Sequence, residues 1–232
     1  MGVLVFLMLG LIGAVILPWM LERLPIQLPQ GDFWLAFGGA FITASVLLHL
    51  LPEFHFMVKV VPLIAGGFFL QFFVEMWTQG VEHGHAIEQV RISAPRLWSL
   101  WAALGIHSVM EGTALISAVT LRTDIATNMY LNVIIHKVPA AFILYFLFKE
   151  SSFSKRLRFL LFGAFVVASP IGMLLGLALT DYVQVLWVIG AFVVGSFLHI
   201  GTNMLAEVGH HHQQGPVGIV AVILGIIVAW FT

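Results

Sequence analysis

The sequence predicts an all-α integral membrane protein of eight transmembrane helices, and three observations carry that prediction. Of 232 residues, 60% are hydrophobic and 9% are charged. These are too few charged side chains to cover a wet surface, so the bilayer must solvate most of the exterior. The apolar residues fall into stretches near the ~20 residues that a helix needs to cross the hydrocarbon core. Lysine and arginine concentrate in alternate connections between those stretches, the asymmetry that marks cytoplasmic loops.

Residues 3–21 form the first stretch. It lacks a basic leading region and a clear small-residue cleavage site, and so reads as a membrane helix rather than a removed signal peptide. The second, 33–51, runs into His49-Leu50-Leu51-Pro52-Glu53 and connects tightly to the third, 57–77, which carries Glu75 near its end. A loop with Glu82-His83-Gly84-His85 leads to the fourth, 97–121, which holds His107 and Glu111. The fifth, 127–148, holds His136, Lys137 and Pro139. The sixth, 157–180, contains Ser169-Pro170, and the seventh, 183–206, contains His199 and Asn203 and runs out at Glu207. The eighth, 217–231, is short and follows a polar break that begins at His210-His211-His212. No low-complexity linker divides the chain, so residues 1–232 read as a single transmembrane domain.

Numbering the loops alternately, one set holds Arg23, Arg91, Arg96, Lys149, Lys155, Arg156 and Arg158, and the other holds Lys59 and Arg122. Seven cations against two put the first set in the cytoplasm and both termini on the other side. The two histidine-bearing loops then lie inside, as plain polar loops or as loose holders of metal after exit. A net charge of −1 gives no basic surface for nucleic acid. With no cysteine in the chain, any metal ligands must be His, Asp, Glu, Asn, Ser or Met.

Ionisable groups at membrane depth cost roughly 2.5–3.5 kcal/mol each and usually face a bundle interior or a water-filled path. His107 and Glu111 stand four residues apart, on one helix face, so an imidazole and a carboxylate can point at one cation. His49 and Glu53 repeat the spacing. A carboxylate buried beside imidazoles is expensive unless a cation balances it. Lys137 must pair or lose its proton; it points about 100° round the helix from His136, with Glu111 or another interior acid as its partner. His199 reads more simply as an interhelical hydrogen bond, and Glu75 and Glu207 as helix-end groups reaching the headgroups. Pro139 and Pro170 are expected to break their helices, and broken helices beside a His/Glu cluster suit a transporter's midplane site.

These motifs resemble the ZIP (Zrt/Irt-like) family of divalent metal transporters. His107-Ser108-Val109-Met110-Glu111-Gly112 is similar to the family's H-N-x-P-E-G. His136-Lys137-Val138-Pro139-Ala140-Ala141-Phe142 is similar to the H-K-x-P-A-A-F of one ZIP branch, where many members have H-E-x-P-E. His49 to Glu53, Asn203 to Glu207 and Ser169-Pro170-Ile171-Gly172 resemble the motifs of the second, seventh and sixth helices. The resemblance implies a ZIP-like bundle that carries a divalent transition metal into the cytoplasm, zinc before iron or manganese, with no prosthetic group. It implies His107, Glu111 and His136 as metal ligands between the fourth and fifth helices. Ser108, Met110, Lys137, Ala140 and Ser169 depart from the pattern, mostly at the ligands of a second metal. One metal is therefore expected, with Lys137 supplying the other positive charge. Its fourth ligand would be water, Ser108 or a group from the second helix. His49, Glu53 and Glu207 would be accessory, guiding metal at the outer mouth.

The rival readings are weaker. The chain has no H-E-x-x-H or comparable set for a metalloenzyme. Haem between His107 and His136, or retinal on Lys137, would colour the protein. A metal sensor with a structural site is the main alternative. Gly38-Gly39 and the Gly172/Gly176 pair permit close helix contacts, within the chain or in a homodimer.

Overall fold

The structure is a computed structural model. It describes residues 5, 8–10, 12–13, 16, 31–54, 59–78, 93–121, 123–210 and 216–232. The predicted first span lies mostly outside the described residues, and its few described positions are helical. So do Glu82-His83-Gly84-His85 and His211-His212.

Among the described residues, seven long helices follow one another: α1 (Gly31–Ser45), α2 (Val61–Thr78), α3 (Ala94–Leu121), α4 (Thr123–Glu150), α5 (Lys155–Ala178), α6 (Val183–His210) and α7 (Pro216–Phe231). Among the described residues there is no strand. Among the described residues, four helical stretches are long and apolar enough to cross a membrane: α1 with its extension (Phe33–Glu53), and those within α3, α5 and α6. α2 and α7 are shorter apolar helices. The described residues thus form an all-α membrane bundle with four spans of that kind, and most of the expected first span lies outside them. α4 is the instructive case. Its 28 residues extend about 42 Å, ample for a bilayer, and it carries Asn128, Asn132, His136 and Lys137 on an otherwise largely apolar rod. All four are buried in the bundle, where other helices rather than lipid surround them.

α1 does not stop at Ser45. It continues as a π-helical turn, Val46–Leu50, in which Leu51 N–H bonds the Val46 carbonyl, and then as a single α-turn, Leu51–Glu53. Pro52 sits just after the widened turn and cannot donate to the carbonyl four residues back; single π-turns recur where a helix has a functional irregularity. Neither Pro139 nor Pro170 interrupts its helix. α4 is helical through position 139, and Pro170 lies inside continuous α5. A proline costs a helix one backbone bond, which a long helix can lose without ending.

The most extensive helix contacts are α3 with α5, α1 with α7 and α2 with α6. The α3–α5 crossing depends on glycine. A Cβ at Gly112 would sit 2.1 Å from the Ser169 carbonyl oxygen, and one at Gly172 would sit 2.0 Å from that of Val109. No side chain fits either place, so the two backbones meet directly. Gly39 likewise faces Met204 and the Gly201 carbonyl across α1–α6, so these small-residue pairs serve contacts within the chain. One apolar cluster, with Phe41, Leu115, Val133 and Phe197, fills the middle of the bundle. A second, with Leu97, Leu144, Phe148 and Phe165, joins α3, α4 and α5 towards the 151–154 turn.

Candidate metal centre

α3 presents His107 and Glu111 on one face, one turn apart, and places His107 Nε2 2.7 Å from Glu111 Oε1. The α3–α5 crossing presses this turn into the bundle and leaves the Glu111 carboxylate fully buried. α4 brings His136 to the same oxygen: its Nε2 contacts Glu111 Oε1. Two imidazoles from different helices therefore converge on one carboxylate oxygen. The three candidate ligand atoms all lie within 4.8 Å of one another, the one His/Glu cluster of this kind among the described residues.

The outer partner of His136 decides its chemistry. Its Nδ1 lies 2.6 Å from the Asn132 backbone carbonyl, which can only accept, so Nδ1–H donates. The neutral ring then carries its lone pair on Nε2, aimed at an anionic oxygen. A lone pair facing a carboxylate is repulsive unless a cation lies between or beside them. His107 Nε2 is buried and near Oε1 without completing a hydrogen bond. The donor set, two imidazoles and a carboxylate, suits zinc and other borderline divalent ions.

The other carboxylate oxygen is already matched. Lys137 Nζ donates to Glu111 Oε2 at 2.6 Å and to Ser108 Oγ at 2.9 Å. Lys137 is 2% exposed and stands over the Phe165 ring at 5.5 Å, an added attraction for an ammonium. Ser169 Oγ donates to the Ser108 carbonyl at 3.0 Å, tying α5 to the same turn of α3. Ser108 is thus the lysine's acceptor, and its hydroxyl is taken. A narrow cavity of about 40 Å³ runs beside the cluster, and Gln71 of α2 joins the polar groups on its wall. That volume holds about one or two waters. The α1 residue lining it is Leu35, so the second predicted span offers no ligand there.

The accessory residues are spread out. His49 lies in the π-turn and donates from Nε2 to the Ala229 carbonyl of α7 at 2.7 Å. Glu53 lines a separate small cavity with Ser117 of α3 and Trp187 of α6. Glu207 is buried near the end of α6, the end that leads to the His210–His212 break. By the loop-charge count that end is the cytoplasmic one, so the expected place of Glu207 at the outer mouth does not follow from its own helix. His199 does pair between helices: its Nε2 lies 2.6 Å from Glu75 Oε2 of α2, and Asn203 Nδ2 donates to Glu75 Oε1.

Three buried polar residues near the centre escaped the sequence reading: Asn132, Ser45 and Gln71. Asn132 Nδ2 donates to Ser45 Oγ at 2.7 Å and so links α4 to α1. The signal was available for α4, because Asn128, Asn132 and His136 recur every four residues on one helix face.

A family model described as ZIP Zinc transporter matches residues 76–231. The match contains α3 to α7, and with them every residue of the His107–Glu111–His136–Lys137 cluster.

Proposed function

The chain belongs to the ZIP zinc transporter family, and from that premise we propose that it carries zinc toward the cytoplasm through a single-ion site formed by His107, Glu111 and His136. Membership makes it an integral membrane transporter of divalent metal rather than an enzyme. The one-ion reading rests on a single observation: the two oxygens of Glu111 are divided, Oε1 to the imidazoles and Oε2 to Lys137. A second dication at this carboxylate would have to displace a buried ammonium. Lys137 balances charge where another cation would otherwise stand.

In this reading the hydrated ion sheds most of its water and binds at Oε1 and the two Nε2 atoms. Water from the adjoining cavity completes the coordination. Three protein ligands leave an exchangeable position, so the ion can go on as well as arrive. Glu75 with His199 and Asn203, and beyond them Glu207, offer polar steps toward the cytoplasmic ends of α2 and α6. Alternating access would expose the centre to each side in turn, within the eight-span bundle and with both termini outside. Imidazole and carboxylate bind metal only when deprotonated, so affinity falls as pH falls.

The test is a radiometal flux panel of zinc, iron, manganese and cadmium in proteoliposomes, with and without a pH gradient. Saturable zinc uptake that disappears in His107→Ala/Glu111→Ala is the expected result. Uptake unchanged by that double substitution rejects the site. Zinc binding without flux would favour a sensor.

A further inference from the structure

The outer face between α4 and α5 carries a feature that the metal centre does not use. These helices are joined by the turn 151–154 yet touch each other little. Both pack on α3 instead, through the Leu97–Leu144–Phe165 cluster, and a cleft of about 560 Å³ opens between them on the other side, where Ile16 of the first predicted span also lines it. That volume lies within the ~300–1,000 Å³ range of small-molecule sites. Tyr145, Phe162, Gly163 and Val166 give it apolar walls. Toward the turn, Lys149, Lys155 and Arg158 line the same cleft. The Arg158 guanidinium is fixed there, because its Nη1 donates to the Lys149 carbonyl at 2.7 Å and to that of Phe148 at 3.4 Å. Glu150 is exposed nearby but does not line the cleft.

We infer that this cleft binds an anionic phospholipid, with an acyl chain against Tyr145, Phe162 and Val166 and the headgroup phosphate at the three cations. The two ends of the cleft match the two ends of such a molecule. An apolar cleft alone would accept any acyl chain, and a basic loop alone would attract anionic lipid diffusely. Three cations opening directly into one apolar cleft select a lipid that carries both features. The loop-charge count puts this end at the cytoplasmic leaflet, where anionic lipids concentrate and each nearby cation contributes roughly a fivefold attraction. The inference is independent of which ion the protein carries.

Native mass spectrometry of the full-length protein in detergent tests it. The protein is titrated with phosphatidylglycerol, with phosphatidylcholine of equal chain length, and with inorganic phosphate. Phosphatidylglycerol should be retained at least about tenfold more tightly than phosphatidylcholine. Lys149→Gln/Lys155→Gln should remove most of that preference, whereas Arg156→Gln, which does not line the cleft, should leave it. A Cβ at Gly163 meets nothing within 4 Å, so Gly163→Phe should fill the cleft without disturbing the helix and reduce retention of the lipid several-fold. Equal retention of the two lipids, or an Arg156→Gln loss as large as that of the lysine pair, overturns the site in favour of diffuse attraction. Displacement of phosphatidylglycerol by equimolar inorganic phosphate overturns it in favour of a free anion. Because one variant removes charge and the other fills space, either alone still decides if its counterpart fails to fold.

Discussion

Two carboxylates in this bundle meet histidine, and they do different things. Glu111 is fully buried and receives two imidazoles on one oxygen and an ammonium on the other. Glu75 has a side chain that is 19% exposed and meets one imidazole and one amide across the α2–α6 contact. Phe68 and Phe72 cover His199 edge-on, with ring centroids at 5.0 and 6.0 Å. The chemical parts are alike, so the count of converging lone pairs and the depth of burial make the difference. One imidazole on a carboxylate satisfies it with a shared proton. At Glu111 the neutral His136 ring turns a lone pair toward the carboxylate, because its Nδ1–H is held by the Asn132 carbonyl, and a metal ion would serve both.

That contrast can be broken most directly by removing ligands. His107→Ala/Glu111→Ala should cut zinc flux in proteoliposomes by more than about a hundredfold, beyond the 10–100-fold usual for loss of an outer-shell group. Glu75→Gln should cut it less than about tenfold. Equal losses would erase the distinction between centre and tie.

Lys137→Met should lower stability by about 3–5 kcal/mol, because it leaves the Glu111 carboxylate buried without its ammonium. Thermal unfolding in detergent measures this. Zinc should restore more of the melting temperature in the variant than in the parent, since a bound dication supplies the missing charge. A variant as stable as the parent without metal would show that Glu111 does not depend on Lys137.

Gly112→Ala should cost about 1–3 kcal/mol, because its methyl group would overlap the Ser169 carbonyl and push α3 from α5. Zinc affinity, measured by calorimetry, should fall with it, because His107 and Glu111 ride on the displaced turn. His199→Gln should have the smallest effect, about 1 kcal/mol of stability, the scale of one interhelical hydrogen bond. A collapse of zinc binding in that variant would promote the α2–α6 pair to a site in its own right.

Much of the centre was legible before any coordinates. His107 and Glu111 share a face because of their four-residue spacing, and burial at membrane depth makes such a pair meaningful. Glu111 was also the first partner named for Lys137, and the ion pair bears that out, though not from helix geometry. Adjacent residues diverge by about 100° on a helix, which argues for separate targets. His136 and Lys137 share Glu111 because a carboxylate offers two oxygens and lysine's long flexible stem can swing back to the second. Ser108 shows what spacing leaves open. Its position beside His107 suggested a ligand, but its hydroxyl is committed to Lys137. His49 and Glu53 share the spacing of His107 and Glu111 yet face different surroundings, because spacing along one helix says nothing of what packs against it. Asn132 was missed because its role is split between a backbone carbonyl that holds His136 and a side chain that holds Ser45.

Composition and apolar length alone determined that this chain lives in a bilayer as helices, since lipid leaves a backbone few other ways to satisfy its hydrogen bonds. They also determined which polar residues had to find partners there, since each is costly to leave alone. Only the tertiary structure decided the partners: that α5 meets α3 backbone to backbone through Gly112 and Gly172, that α4 lies beside that turn, and that one carboxylate takes two imidazoles and an ammonium. Helix crossings are set by side-chain shape summed over whole faces, and no local stretch of sequence contains that sum.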